Sequence, residues 1–293
     1  MEPKPIKIAL AGNPNSGKTT LFNKLTGSRQ RIGNWPGVTI EKKEGTVKGL
    51  RHVTVQDLPG IYSLSPYTPE EEISRNYLLD EKPDVILNIV DSSNLERNLY
   101  LTTQLLELEI PVVVALNFID VARRDGDKID SRKLESRLGC PVIETSALKG
   151  EGVEECVARC VRMVESEDKQ DLAGKTATRF SADVEQAIAD IGSVIGDSVQ
   201  ERRRWIAVKA FERDEKALAG ISLTASQKDM IETIIRRTEE KFDDDSESII
   251  TAQRYTAIGK LTDNVIARAQ RKDNLTRSDR IDRIVTHRFW AYP

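Results

Sequence analysis

Residues 12 to 19 read Gly12-Asn13-Pro14-Asn15-Ser16-Gly17-Lys18-Thr19, and no other stretch limits the fold as sharply. The apolar run Ile6-Lys7-Ile8-Ala9-Leu10-Ala11 precedes it and the helical pattern Thr20-Leu21-Phe22-Asn23-Lys24-Leu25 follows, giving strand, glycine-bearing loop, helix. A phosphate loop needs that order. Gly12 and Gly17 let the backbone turn tightly against an anion, and the freed amides with the positive helix start form a nest for β- and γ-phosphates. The residues expected to line it are Gly12, Asn13, Asn15, Ser16, Gly17, Lys18, Thr19 and Thr20. Lys18 adds a mobile charge, and Thr19 offers a hydroxyl to Mg²⁺.

Further along, Gln30 to Thr39 is rich in turn formers and lacks a period, so a loop is expected there. Strands are expected to begin at Val38-Thr39-Ile40-Glu41 and to continue over Thr46–Leu50 and His52–Asp57, the last two forming a hairpin around Leu50-Arg51. At its end stands Asp57-Leu58-Pro59-Gly60. Asp57 is placed to hold Mg²⁺ through a water and the Gly60 amide to meet the γ-phosphate; the loops of Thr39 and Gly60 would then follow the presence of that phosphate. The apolar runs Val85–Asp91 and Pro111–Leu116 read as buried strands, and the second delivers Asn117-Phe118-Ile119-Asp120 at its carboxyl end. A carboxylate at Asp120 accepts from guanine N1–H and the exocyclic amine, whereas adenine would present it with an acceptor. The loop Thr145-Ser146-Ala147-Leu148 is placed to give backbone amides, from Ser146 and Ala147, to the guanine carbonyl.

Beyond a helix over Val153–Val164 and a charged linker at Glu165–Lys175, no strand signal is found up to about Gln270. Ala182–Ile195, Glu201–Phe211, Ser226–Phe242 and Ser248–Gln270 read as amphipathic helices. The expected architecture is therefore α/β with a mostly parallel sheet over 1–168, followed by a small all-α domain over 169–275. Lys and Arg total 44 against 47 Asp and Glu, a net charge of −3, so no broad cationic surface is offered to nucleic acid. Cys140, Cys156 and Cys160 are odd in number and are expected as reduced, buried thiols. The longest apolar runs fall well short of the ~20 residues a membrane helix needs.

Taken together, Gly-Asn-Pro-Asn-Ser-Gly-Lys-Thr-Thr-Leu-Phe-Asn at 12 to 23, Gly-Asn-Trp-Pro-Gly-Val-Thr at 33 to 39 and Asp-Leu-Pro-Gly-Ile-Tyr-Ser-Leu-Ser at 57 to 65 resemble the cytosolic G-protein region of the ferrous-iron transport protein B (FeoB) family. The resemblance implies a Ras-like GTPase domain, then a helical domain that in some members favours the GDP-bound state. It implies that 276–293 leads toward a polytopic Fe²⁺ permease, the chain being a soluble fragment that stands on the cytoplasmic side of the inner membrane in the full-length protein. GTP or GDP, Mg²⁺ and K⁺ are the implied ligands. K⁺ would be held by the Asn15 side chain and the carbonyls of Gly33 and Trp35, in the place of an arginine finger. Asn15, Lys18, Thr39 and Gly60 would carry the slow hydrolysis. Small accessory iron-transport proteins and a second copy of the chain are further partner classes. Ile61 stands where many Ras-like GTPases carry a water-orienting glutamine, and Phe118 where a lysine is common. Ile61 keeps open a binding-only switch with incidental turnover. An RNA- or ribosome-assembly GTPase would instead carry a basic carboxyl-terminal domain.

Overall fold

The computed structural model describes residues 4–27, 29–65, 68–166, 179–196, 199 and 201–267. The Val, Ile and Leu runs become the middle of a seven-stranded sheet. In it β1 (Ile6–Gly12), β5 (Val85–Asp91) and β6 (Val112–Asn117) lie parallel, with Ile8 opposite Val85 and Ile86 opposite Val112. Their side chains are buried on both faces, which is why these strands carry no polar alternation. Parallel neighbours β4 (Val53–Asp57) and β8 (Val142–Glu144) flank them. Beyond β4 come β3 (Glu41–Thr46) and the edge strand β2 (Gln30–Asn34), both antiparallel to their neighbours; the order is β2-β3-β4-β1-β5-β6-β8.

Helices cover both faces. On one, α1 (Lys18–Thr26) and α6 (Val153–Glu165) bury Leu21, Phe22, Cys156 and Cys160 against Ile8 and Leu10. On the other lie α2 (Pro69–Asn76), α3 (Leu95–Leu106) and α5 (Ser131–Leu138). A capping box between Thr68 and Glu71, with Pro69 in the first turn, starts α2, and a π-helical turn over Tyr77–Glu81 continues it. The short α4 (Ile119–Arg124) and β7 (Lys128–Ile129) follow β6.

The second half packs α7 (Ala182–Ile195), α8 (Arg203–Phe211), α9 (Glu215–Leu218), α10 (Ala225–Phe242) and α11 (Ser246–Thr262) around Val184, Ile191, Phe211, Ile235 and Ile250. Helix α11 belongs to two cores: Ile249 and Ile250 face the helical one, Ile258 and Leu261 the sheet's outer layer. Between them the Arg254 guanidinium, fully buried, donates to both oxygens of the Glu107 carboxylate (2.9 and 3.1 Å) and to Thr103 (3.2 Å).

Three expectations are corrected. Gln30–Asn34 is a strand, not loop: it lies at the sheet edge with both faces largely in water, so nothing imposes alternation on its sequence. The strand expected to begin at Val38 begins at Glu41, and Val47–His52 forms the turn into β4, closed by Val47 N–H donating to Val53 (3.0 Å) and Val53 N–H to Leu50 (3.1 Å). The helix expected to reach Gln270 stops at Thr262. There the Arg137 guanidinium takes the carbonyls of Lys260, Leu261 and Asp263 (3.1, 2.9 and 2.5 Å), Asn264 turns left-handed, and β9 (Ile266–Ala267) pairs antiparallel with β7. A strand thus occurs where none was expected, because its partner lies in the other half of the chain. Most of the expected linker and all of 276–293 lie outside the described residues. Among the described residues no helix is long and apolar enough to cross a membrane.

Candidate functional site

The loop between β1 and α1 is shaped by close approach. A Cβ at Gly12 would come within 2.5 Å of Ile89 on β5, and one at Gly17, where φ is +93°, would run into the Asn117 amide. Ser16 closes the loop, its hydroxyl donating to the Asn13 carbonyl (2.8 Å), while the buried Asn13 amide nitrogen has no partner among the described residues. Asn15 is exposed and left-handed (φ +64°). Lys18 reaches Asp57 at the end of β4, Nζ to Oδ1 2.5 Å, both side chains about nine-tenths buried. Burial raises the Asp57 carboxyl above its usual range and the Lys18 charge pulls it partly back. A buried carboxylate paired with Lys18, with the Thr19 hydroxyl in the first turn of α1, is a hard-oxygen donor set that suits Mg²⁺.

Asn117 ties the loop to the base-recognition side. Its Nδ2 donates to the Ser16 carbonyl (2.8 Å) and its Oδ1 accepts from the Ala147 amide (2.9 Å). Phe118 adopts φ +63°, and its ring comes within 3.6 Å of the Gly17 Cβ position, so the residue in the usual lysine position packs on the phosphate loop. Asp120 opens α4. Some desolvation raises its carboxyl, but the Ser146 hydroxyl and Lys149, whose Nζ lies 3.3 Å away, bring it below the ordinary value and keep it ionised. The turn 146–151 presents Ala147 beside it, held by Ser146 N–H to Glu151 (3.1 Å) and Gly150 N–H to Ser146 (2.8 Å). Lys149 was not singled out in the sequence, although it lies one residue past the loop that was.

Gly60 also meets the loop: Ile61 N–H donates to the Gly12 carbonyl (3.2 Å), and Pro14 lies 3.3 Å from the Gly60 Cβ position. Ile61 itself is only 3 % exposed and turned into the core. Thr39 sits exposed in the turn between β2 and β3 and forms no side-chain hydrogen bond among the described residues. Nor does any hydrogen bond among the described residues join Asn15 to Gly33, which pairs with Lys42 across the hairpin, or to Trp35, whose carbonyl accepts from Val38 (3.3 Å). Thr20 lies in the first turn of α1.

Sequence reasoning missed the polar groups that grip the segment after Gly60. Gln104 of α3, 1 % exposed, accepts from the Leu64 amide (2.7 Å) and from the Ser63 hydroxyl (3.2 Å). From the helical half, buried Lys209 donates to the Ser65 hydroxyl (2.8 Å) and to Glu212 (2.6 Å). Arg75 of α2 pairs with Asp214 (3.3 Å), and Lys216 with Glu72 (2.9 Å). In sequence these charged and amide residues show no partner; Gln104 finds one within the first half, and Lys209, Arg75 and Lys216 find theirs across the junction of the two halves. Among the described residues no group of three or more Cys, His, Asp and Glu side chains is arranged to hold a metal ion.

Comparison with known proteins agrees with this geometry. Residues 6–160 match the family model for ferrous iron transport protein B, and 180–267 the model for the FeoB cytosolic helical domain. The chain is 40 % identical over 297 aligned positions to the Fe(2+) transporter FeoB of Escherichia coli K12, and 38 % to that of Salmonella typhimurium LT2. Each alignment covers 99 % of this chain but only 37 % of the relative, so the chain spans little over a third of their length. Among solved structures it resembles a GDP-bound mutant of the S. thermophilus FeoB G-domain (48 % identity, TM-score 0.85, 89 % of this chain and 100 % of that one). It also resembles mGMPPNP-bound NFeoB from S. thermophilus (48 %, 0.77, 91 % and 99 %) and a mutant of that protein bound to GDP·AlF4⁻ (50 %, 0.76, 87 % and 99 %). A Ras-like G-domain with phosphate and base loops in register, followed by a docked helical domain, places this chain in the ferrous iron transport protein B family.

Proposed function

We propose that this chain is the nucleotide-driven regulatory unit of a ferrous-iron transporter, binding GDP and GTP with Mg²⁺ and hydrolysing GTP slowly. The observation that carries the reading is Asn117, which bonds the phosphate loop at Ser16 and the guanine loop at Ala147 and so builds both halves of a nucleotide site on one frame. Asp120, held ionised, reads guanine by accepting from its N1–H and exocyclic amine. The loop amides from Asn15 to Thr19 cradle the phosphates, and Lys18 exchanges Asp57 for phosphate oxygens. Thr19 and Asp57 would hold Mg²⁺, which would supply neutralising charge to the phosphates. Thr39 reaches that site only when the turn 35–40 folds inward, and the Gly60 amide meets the γ-phosphate from the other side. No side chain at position 61 orients water, which sets a low intrinsic rate.

The helical domain takes its signal through Lys209 on Ser65 and Asp214 on Arg75, a buried polar contact with the segment that follows Gly60. We place the division between the domains near residue 168 and the path to the membrane permease beyond 275, on the cytoplasmic side of the inner membrane; small accessory iron-transport proteins and self-association are further partners of that assembly. Buried Ile61 favours a second reading, in which nucleotide binding alone gates the pore. GTP turnover in KCl against NaCl, with ATP as control, separates the two. GTP-selective turnover that is faster in K⁺ and lost in Asn15→Ala supports hydrolysis assisted by the ion. GTP binding without turnover in either salt supports the binding-only switch, and equal binding of ATP overturns guanine recognition.

A further inference from the structure

The turn that carries Thr39 is anchored at one end by Trp35, while Ile40 at the other packs in part against the same core. Pro36, Gly37, Val38 and Thr39 are exposed, yet Trp35 beside them is 7 % exposed. Its ring enters the core that holds Leu58, Ile61, Leu64 and Leu78, and meets Tyr77 edge-on, centroids 5.7 Å apart at 78°. Lys42, on the opposite strand of the hairpin, places Nζ 4.8 Å from the centre of the same ring. The turn moves with it, because Trp35 N–H donates to the Ile40 carbonyl (2.9 Å) and its carbonyl accepts from Val38 (3.3 Å). The register sets Lys43 opposite Asp57, so Thr39 lies four residues beyond the level of the metal-binding carboxylate, past the last paired residue, Glu41.

We propose that Tyr77 is a positioning residue for the nucleotide switch: by seating Trp35 it holds the turn 35–40 open, with Thr39 away from the phosphate loop, and Trp35 leaves this seat when Thr39 closes on the nucleotide. The inference rests on the nucleotide-switch reading above. The seat is built to release. The indole N–H is buried there with no hydrogen-bond partner among the described residues, so leaving breaks no hydrogen bond and returns that donor to water. What holds the ring is apolar burial, the edge-to-face contact and the lysine. Tyr77 also directly follows α2, whose Arg75 pairs with Asp214 of the helical half, so the seat being filled or empty is felt two residues from the domain junction.

The difference in emission between the wild type and Trp35→Phe isolates Trp35, measured with Mg²⁺ and either GDP or the non-hydrolysable analogue GMPPNP. Trp35 is expected to be blue-shifted and protected from acrylamide with GDP, and red-shifted and quenchable with GMPPNP. Tyr77→Ala is expected to raise the GMPPNP-to-GDP affinity ratio roughly three- to tenfold, the scale of one lost aromatic contact, while Tyr77→Phe, which keeps the ring, retains the wild-type ratio. Identical Trp35 emission and quenching with both nucleotides bound overturns the proposal even if Tyr77→Ala does not fold, and so does an unchanged ratio in a folded Tyr77→Ala. Failure of the wild type to bind either nucleotide overturns the switch reading beneath it, an outcome distinct from the other two.

Discussion

Replacing Arg254 by leucine leaves the Glu107 carboxylate, 1 % exposed, without a counter-charge between α3 and α11. Burial opposes the guanidinium charge, but Glu107 beside it more than compensates, so Arg254 is held charged in the folded protein. Two charge-assisted bonds at 2.9 and 3.1 Å and a third to Thr103 are lost, and a carboxylate remains in an apolar layer. Breaking such a pair from one side costs about 3–5 kcal/mol, most of it the penalty of the stranded ion. Removing both charges together, Arg254→Leu with Glu107→Leu, removes that penalty, so the double variant should lose no more than about 2 kcal/mol. The coupling energy between the two sites is then large and of opposite sign to the single losses. Urea unfolding followed by circular dichroism gives the totals, and emission from Trp205, buried in the core shared by α8 and α11, reports whether the helical half stays docked. An additive double variant, as destabilised as the sum of the singles, would refute the claim that the pair acts as one buried unit. Lys82–Glu201 is a useful contrast: at 2.7 Å it is shorter, but both side chains are more than half exposed, and Lys82→Ala should leave stability unchanged.

Asp120→Asn exchanges an acceptor for a donor and should weaken GDP binding by about a hundredfold or more, with xanthosine diphosphate, which offers a carbonyl there, binding better than GDP; an unchanged GDP titration would contradict the base assignment. Lys209→Met frees Ser65 and leaves Glu212 and Asp214 without their lysine, and should speed GDP release about fivefold or more in stopped-flow chase, whereas an unaltered release rate would remove Lys209 from the coupling path. Burial pushes the Cys140 and Cys156 thiols up to about 12 from 9.0. Their raised folded values mean that the unfolded chain releases these protons first, so the stability they contribute should fall as pH rises from about 9 toward 12. Cys140→Ala should flatten that decline in urea midpoints, and iodoacetamide at pH 8 should leave the native chain unlabelled.

Much of the site was legible because phosphate and guanine chemistry impose residue types at fixed places after strands: Gly12 and Gly17, Lys18, Asp57, Asn117 and Asp120 all stand at one end of the sheet. The buried strands were equally legible, since Val85–Asp91 and Val112–Asn117 are apolar at all but one or two positions, and a short segment of that kind has few other uses. Illegible were the elements whose reason lies elsewhere in the chain. Edge strand β2 shows no alternation because water lies on both its faces, and β9 exists through β7, some 140 residues earlier in sequence. The ring of Trp35, whose carbonyl alone entered the sequence reading, packs into the core beside Tyr77, a partner 42 residues away that no local pattern names.

By itself, then, the sequence determined the doubly wound nucleotide-binding frame and the helical character of the second half, because local spacing, turn residues and hydrophobic period are properties of short segments. The tertiary structure decided how the halves are joined and which groups they share. Arg254 with Glu107, Lys209 with Ser65 and Gln104 with the Leu64 backbone amide are polar groups whose burial is tolerable only beside partners remote in sequence. Desolvation makes such groups costly alone and tightly specified together, and no reading of neighbouring residues reveals which partner each will meet.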